Sequence, residues 1–331
     1  MVPFMGKRPL RVMRLLLSWS KPIPIHIVLL LSVLSDISCD SIREDRELRT
    51  YNDLYMQTRN ALRDAKIEGF ALEARILVAT AAGKTTQELM RDLTLYTTPQ
   101  VEKQVGELTA RRLGGEPVAY ITGSWEFYGL PMTVTPDVLI PRMDTELIVD
   151  TAKELLTGRN MNARILDLCC GSGCIACAVG HEMPATHLVA VDLSASALEV
   201  ARKNISANRL TSRALTLQAD ATQSPPMSIG KFDMILSNPP YIPSTEILTL
   251  DASVRDYEPI WALDGGETGL KFYKAIVKYW KHLLNPGGYL VFEVGEDQAA
   301  DVEEMLLSAG FRGTDTRKDT QGIDRVVFGR M

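Results

Sequence analysis

After Asp144 the chain alternates short apolar runs with amphipathic stretches, and this alternation restricts the fold more than any other feature. Residues 165–168, 188–191, 215–217, 232–236 and 289–294 are apolar on consecutive positions more often than on every second one. Strands of that kind are buried on both faces, as when helices cover both sides of a parallel sheet. The intervening stretches 195–208 and 270–284 carry the helical spacing that right-handed crossovers need. Residues 311–328 predict two more strands around the polar turn Lys318-Asp319-Thr320-Gln321-Gly322.

The region before Asp144 reads differently. From Tyr51 to about Arg112 apolar residues recur at three- and four-residue spacing, as in Leu72, Ile76, Leu77 and Ala79, with Gly83 and Pro99 as breaks. That predicts a small helical domain over residues 49–115. Residues 116–141 turn to strand chemistry, with Tyr120-Ile121-Thr122, a Gly123-Ser124 break, Trp125-Glu126-Phe127-Tyr128 and then Met132-Thr133-Val134-Thr135. The expectation there is a β-hairpin linking the helical domain to a sheet domain over residues 142–331.

Residues 1–48 stand apart. Lys7, Arg8, Arg11, Arg14 and Lys21 precede the apolar run 23–34, and no acid occurs before Asp36. Pro22, Pro24 and His26 interrupt that run, and 27–34 alone is too short to span a bilayer. Three readings stay open: an extension from an upstream start codon, a targeting peptide, or a membrane anchor. Nothing in the remaining chain depends on the choice.

A net charge of −5 argues against a chain whose task is gripping phosphate backbones, which needs clustered Lys and Arg. In the helical region Arg59, Arg63, Lys66 and Arg75 are interleaved with Asp64, Glu68 and Glu73, so no direct nucleic-acid binding is expected. Of five cysteines, Cys169, Cys170, Cys174 and Cys177 crowd one short segment. A disulfide framework would spread them out, so reduced thiols and a cytoplasmic setting are expected, with no stable membrane association. The spacing of the last three would also suit a metal, but small apolar side chains are wanted where a helix packs on a sheet, and no metal is expected.

The run 165–168 passes into Cys169-Cys170-Gly171-Ser172-Gly173 and then a helical pattern. A glycine-rich turn between strand and helix lets backbone approach a ligand closely. With Ala176 at the third fingerprint position, the dinucleotide match is incomplete. Asp192 ends the next strand, where a carboxylate can accept both hydroxyls of a ribose, and Asp220 follows the third, where it can meet an adenine edge. A nicotinamide-dependent oxidoreductase would share this loop and acid.

The fourth strand delivers Asn238-Pro239-Pro240-Tyr241 to the same edge. The Asn238 side-chain oxygen and the Pro239 carbonyl can each take one N–H of a planar NH2 group. The two prolines restrict φ and offer no competing N–H, and Tyr241 supplies an aromatic face. An amide nitrogen is a poor nucleophile whose lone pair is delocalised, so such a site works by orienting it toward a methyl donor. Neither a metal nor a strong base is required. An exocyclic amine of adenine or cytosine would fit the same clamp, and a binding module that keeps the clamp as a docking surface is the remaining alternative.

With these motifs in place, residues 51–330 resemble the HemK/PrmC family of release-factor glutamine-N5 methyltransferases. The resemblance rests on 111–120 (Arg111-Arg112-Leu113-Gly114-Gly115-Glu116-Pro117-Val118-Ala119-Tyr120), Phe127-Tyr128-Gly129-Leu130, Ile140-Pro141-Arg142-Met143-Asp144-Thr145-Glu146 and the Asn238 to Ile242 segment. Glu258-Pro259, Ala262-Leu263, Gly265-Gly266 and Gly269-Leu270 continue it. It implies a Rossmann-like class I methyltransferase sheet, α/β, doubly wound and mostly parallel with a C-terminal antiparallel strand, behind a helical domain and hairpin. It implies that Cys169, Cys170, Gly171, Ser172, Gly173, Asp192, Asp220 and Asn238 line an S-adenosylmethionine site. Asn238, Pro239, Pro240 and Tyr241 would hold the glutamine of a Gly-Gly-Gln tip on a peptide-chain release factor, with Asn238, Pro239 and Tyr241 at the reacting amide. A monomer is expected. Met143 replaces a usual proline, Cys169-Cys170 a more common Gly-Thr, and Ala221 follows Asp220 where some members place a larger residue.

Overall fold

The computed structural model describes residues 49–158 and 162–331. The N-terminal extension, with its three open readings, lies outside the described residues.

Among the described residues five helices come first: α1 (Tyr51–Asp64), α2 (Phe70–Ala81), α3 (Thr86–Arg91), α4 (Pro99–Leu113) and α5 (Val118–Thr122). Their starts follow from local chemistry. Thr50 with Asp53 and Thr85 with Glu88 form reciprocal capping boxes, and Thr98 caps α4 ahead of Pro99. Leu54, Leu62, Leu77, Val78, Leu89, Val105 and Leu108 form their shared core.

The hairpin is shorter than the strand chemistry of 116–141 suggests: β1 (Ser124–Phe127) pairs antiparallel with β2 (Leu130–Thr133). Tyr120, Ile121 and Thr122, read as strand, form the turn of helix α5 instead. Val118 and Ile121 pack into the helical core while Ala119 and Tyr120 pack against Val134, Val138 and Ile140. A segment buried on both sides at helical spacing overrides the β preference of Tyr and Ile. Gly123, at φ +68°, ends it.

The sheet domain contains α6 (Glu146–Leu156), β3 (Arg164–Leu168), α7 (Cys174–Glu182), β4 (His187–Asp192), α8 (Ala195–Ala207), β5 (Ala214–Gln218), β6 (Phe232–Ser237) and the short α9 (Ala252–Arg255). It continues with α10 (Lys271–Tyr279), β7 (Leu284–Glu293), α11 (Ala299–Ser308), β8 (Arg312–Lys318) and β9 (Asp324–Arg330). The strand order is β5-β4-β3-β6-β7-β9-β8. All pairs from β5 to β7 are parallel, and β9 runs antiparallel to both neighbours. The doubly wound, mostly parallel sheet and the two C-terminal strands are as expected from the sequence.

Alternation inside each apolar run divides two cores. Ile165, Leu188, Met234, Leu236 and Val291 face α6 and α7. Leu166, Leu168, Val189, Ile235, Leu290 and Phe292 face α10 and α11, where Tyr273, Trp280, Val302 and Leu306 cover them. The chain leaves β3 for β4 and β5 on one side, then returns to β6 on the other, so a crevice opens at the carboxyl ends of β3 and β6.

A buried side chain ties the hairpin to that crevice. Asn204 on α8 accepts the Thr133 N–H at 2.7 Å and donates to the carbonyls of Thr133 and Ser172, both at 2.9 Å. Replacing it by leucine strands these buried groups and is expected to cost about 2–4 kcal/mol. Urea denaturation of Asn204→Leu measures the loss; an unchanged midpoint would show the stitch to be dispensable.

Candidate functional site

At the switch point the register sets Leu168 opposite Ser237, so the segments after them, Cys169–Gly173 and Asn238–Tyr241, leave the sheet side by side. The Ser237 hydroxyl donates to the Leu168 carbonyl at 2.6 Å and closes the pair. A cavity of about 420 Å³ opens beyond them, within the usual range for small-molecule sites.

Cys169, Cys170, Gly171, Ser172, Asp192, Asp220, Asn238 and Pro240 line the cavity. Gly173 does not; a Cβ there would lie 3.1 Å from the Ala201 Cβ, so this glycine lets α7 pack closely on α8. Pro239 and Tyr241 are likewise outside the lining, Tyr241 being turned toward β7.

The loop is wound tightly. Cys169, Gly171 and Gly173 hold φ of 63°, 50° and 74°. For Cys169 this left-handed conformation costs about 1–2 kcal/mol, held by bonds on either side. Cys170 N–H donates to the Val191 carbonyl at 3.0 Å and Gly171 N–H to Asp192 Oδ2 at 2.8 Å. Asp192 Oδ1 takes the Ser194 N–H at 2.9 Å. Each oxygen of that carboxylate keeps a lone pair for a ligand hydroxyl. Burial raises the Asp192 carboxyl from its ordinary range while the N–H groups of Ser194, Gly171 and Leu193 hold it down. Asp220 spends Oδ1 on the Thr222 N–H and hydroxyl, both at 2.7 Å, which leaves Oδ2 for an amine.

The four cysteines are free thiols. Burial pushes each upward, Cys177 to about 12, so they stay protonated and behave as small apolar groups. Among the described residues no group of three His, Cys, Asp or Glu side chains is placed to hold a metal ion.

Asn238 donates from Nδ2 to the Thr145 hydroxyl at 3.1 Å. That leaves Oδ1 as the acceptor its carboxamide presents. Among the described residues no backbone N–H is given to the Pro239 carbonyl, so it too can accept. The backbone of Tyr241 is fixed from behind: Gln298 Nε2 donates to its carbonyl at 2.9 Å, while Ile242 exchanges hydrogen bonds with the Leu263 carbonyl and the Gly265 N–H. Its hydroxyl reaches Glu293 Oε1 at 3.3 Å.

Arg142 forms an ion pair with the buried Glu258, whose other oxygen accepts the Ile140 N–H at 3.1 Å. Two sequence blocks singled out only by resemblance thus meet at the cavity wall, which Arg142 and Thr145 both line.

Several residues escaped sequence reasoning: Asp167, Asn204, Glu293 and Gln298. Asp167, wholly buried, accepts the Ala176 N–H at 3.0 Å, and burial pushes its carboxyl up to about 7. The usable signal was an acid inside an apolar strand, at Asp167 and again at Glu293.

The family model described as PrmC N-terminal domain matches residues 53–123, and the Methyltransferase small domain matches 144–250. The release factor glutamine methyltransferase of Geobacter sulfurreducens is 40% identical over 288 residues, covering 87% of this chain and 99% of that protein. The protein so named from Bordetella pertussis is 41% identical over 260 residues, covering 78% and 94%. Among solved structures, the hMettl16 catalytic domain in complex with the MAT2A 3′UTR hairpin 6 superposes with TM-score 0.52 at 17% identity, covering 67% of this chain and 81% of that one. At that identity the likeness concerns fold alone.

The packing behind Tyr241 has no room for a side chain. A Cβ on Gly269, which sits at φ +72°, would fall 2.3 Å from the Tyr241 carbonyl oxygen and 2.4 Å from Gln298 Nε2. Gly269→Ala is expected to cost about 2–4 kcal/mol through overpacking and backbone strain together. Thermal unfolding measures it; a melting temperature equal to that of the parent would refute the contact.

Proposed function

We propose that this chain, which belongs to the release factor glutamine methyltransferase family, methylates the side-chain amide nitrogen of the Gly-Gly-Gln glutamine of a peptide-chain release factor. The observation that carries this reading is the polarity of Asn238. Its NH2 is spent on Thr145, so an oxygen is offered, and beside it the Pro239 carbonyl offers a second. Two acceptors suit a group with two N–H donors and no charge, which describes a primary amide.

S-adenosylmethionine, when bound, supplies an electrophilic methyl on a sulfonium sulfur. The residues present fit it: Asp192 retains lone pairs for ribose hydroxyls, Asp220 Oδ2 for the adenine amine, and the Cys169 to Ser172 backbone lies against the cavity. Asn238 and Pro239 hold the acceptor NH2 so that its lone pair points along the line of transfer. Transfer would form the N–C bond as the methyl leaves the sulfonium sulfur, and the amide nitrogen would then lose a proton to water. No base in the chain is needed for this, because the cation with its proton still on the amide nitrogen is a stronger acid than hydronium.

The Arg142–Glu258 pair and Thr145 brace the wall between the two ligands, and Trp261 and Phe272 complete it. The helical domain is the surface we assign to holding the body of the release factor.

Mass spectrometry of a release factor incubated with the enzyme and S-adenosylmethionine is expected to find one added methyl group on the tip glutamine. Absence of that mass shift would overturn the reading. Asn238→Ala is expected to lower turnover by about 100-fold or more while sparing cofactor affinity, since it removes an orienting contact. Asp192→Ala should instead weaken cofactor binding by about 10-fold or more, the worth of a hydrogen bond to a charged group. Calorimetry with S-adenosylmethionine separates the two, and equal effects on affinity would contradict the division of roles.

A further inference from the structure

Glu293 ends β7 with its side chain buried, 1% exposed, and touches the clamp from behind without lining the cavity. Its Oε1 takes the Tyr241 hydroxyl at 3.3 Å. Its Oε2 is buried with no hydrogen bond closed on it among the described residues. A buried carboxylate oxygen left unpaired is costly and calls for a donor nearby. The Thr145 hydroxyl, which acts on the carboxyl to favour its charged form, is the group placed to turn its proton toward that oxygen.

A threonine hydroxyl has one proton and two lone pairs. If the proton goes to Glu293, Thr145 Oγ1 can only accept from Asn238, as it does at 3.1 Å. The direction of each bond in the relay is then set by the one group that, when ionised, cannot donate. Reversing the relay would turn the Asn238 NH2 toward the acceptor amide, donor against donor.

We propose that Glu293 is a positioning residue, which through Thr145 fixes the face that the Asn238 carboxamide presents and so makes the clamp select an NH2 group. The inference deepens the release-factor reading and rests on it for its kinetic consequence.

The groups facing Glu293 come from several elements. Arg325 on β9 favours its charged form, Asp144 ahead of α6 opposes it, the Thr145 and Tyr241 hydroxyls favour it, and the Tyr273 hydroxyl on α10 is spent on the Glu293 backbone carbonyl at 2.9 Å. Burial outweighs the rest and pushes the carboxyl up to about 7. Below that pH the protonated acid can donate to Thr145 and undo the polarity of the relay. Activity should therefore fall as pH drops through about 7. Asp167, also raised to about 7, titrates equally in a Glu293 variant and drops out of the comparison.

The test uses the full chain in two arms. In the first, the Asn238 side-chain NH2 resonances, identified by their loss in Asn238→Ala, are followed by NMR against pH without substrate. Titration with a midpoint near 7 in the parent, absent from Glu293→Gln, is expected; a pH-independent signal in the parent, or an unaltered titration in the variant, would overturn the proposal. In the second, turnover of Glu293→Gln on a release factor is expected to fall roughly 10- to 100-fold, with S-adenosylmethionine affinity within about twofold of the parent, as expected for an interaction made only with the acceptor. Combining it with Thr145→Val should slow the enzyme no further than Thr145→Val alone, because both act through Asn238. Parent-like turnover in Glu293→Gln, or losses that multiply in the double variant, sink the proposal. If the parent leaves the release factor unmethylated, the substrate reading falls, and the NMR arm still decides the role of Glu293.

Discussion

The parallel pairing of β3 with β6 is the constraint on which the rest depends. These strands are consecutive in space but not in sequence, and the register that sets Leu168 opposite Ser237 decides where both functional segments emerge. A slip of one residue would turn Ile165 and Leu166 to opposite faces and break both cores at once. The hydrophobic division of the sheet therefore also fixes the separation between the proposed cofactor loop and the proposed clamp. The Ser237 hydroxyl on the Leu168 carbonyl adds a polar lock where the ladder ends.

The two segments are held by different means. Backbone geometry holds the cofactor loop, with left-handed residues at Cys169, Gly171 and Gly173 and N–H groups given to Asp192 and Val191. Groups from distant elements hold the clamp: the Thr145 side chain from the turn before α6, the Gln298 side chain from the start of α11, and the backbone of Gly265 and Gly269 from the loop before α10. The first arrangement is local, so its chemistry is concentrated in one stretch of sequence. The second is assembled by the fold.

That difference explains what could be read in advance. The strands were legible because burial on both faces leaves a continuous apolar run, and the glycine loop because positive φ demands glycine at Gly171 and Gly173. Asn238 and Asp192 were legible because each follows such a run. Tyr120 to Thr122 misread as strand because local preference said nothing of the two cores that α5 joins. Glu293, Gln298 and Asn204 stayed invisible because their partners lie far away in sequence, Tyr241 and Thr133 among them. The Arg142 and Glu258 blocks were noticed by resemblance, but only the ion pair between them gives a physical reason for both.

A neutral amide attacking a sulfonium methyl needs aim more than it needs a base, and the structure around the proposed clamp is built for aim. The Tyr241 backbone has three supports, the Gln298 amide and the hydrogen bonds through Leu263 and Gly265 at the adjoining Ile242, while its hydroxyl rests on Glu293. Gln298 is itself fixed, because its Oε1 accepts the Gly295 N–H at 3.0 Å. A side chain held at both ends of its carboxamide cannot flip, so the Tyr241 carbonyl meets an N–H and not an oxygen. The same logic applies to Asn238, whose nitrogen is engaged and whose oxygen is therefore the atom presented. Carboxamides are symmetric in shape and opposite in polarity at their two ends. A site that must tell an NH2 from an oxygen needs them locked by neighbours that can only donate or only accept, and a buried carboxylate is an acceptor of that kind.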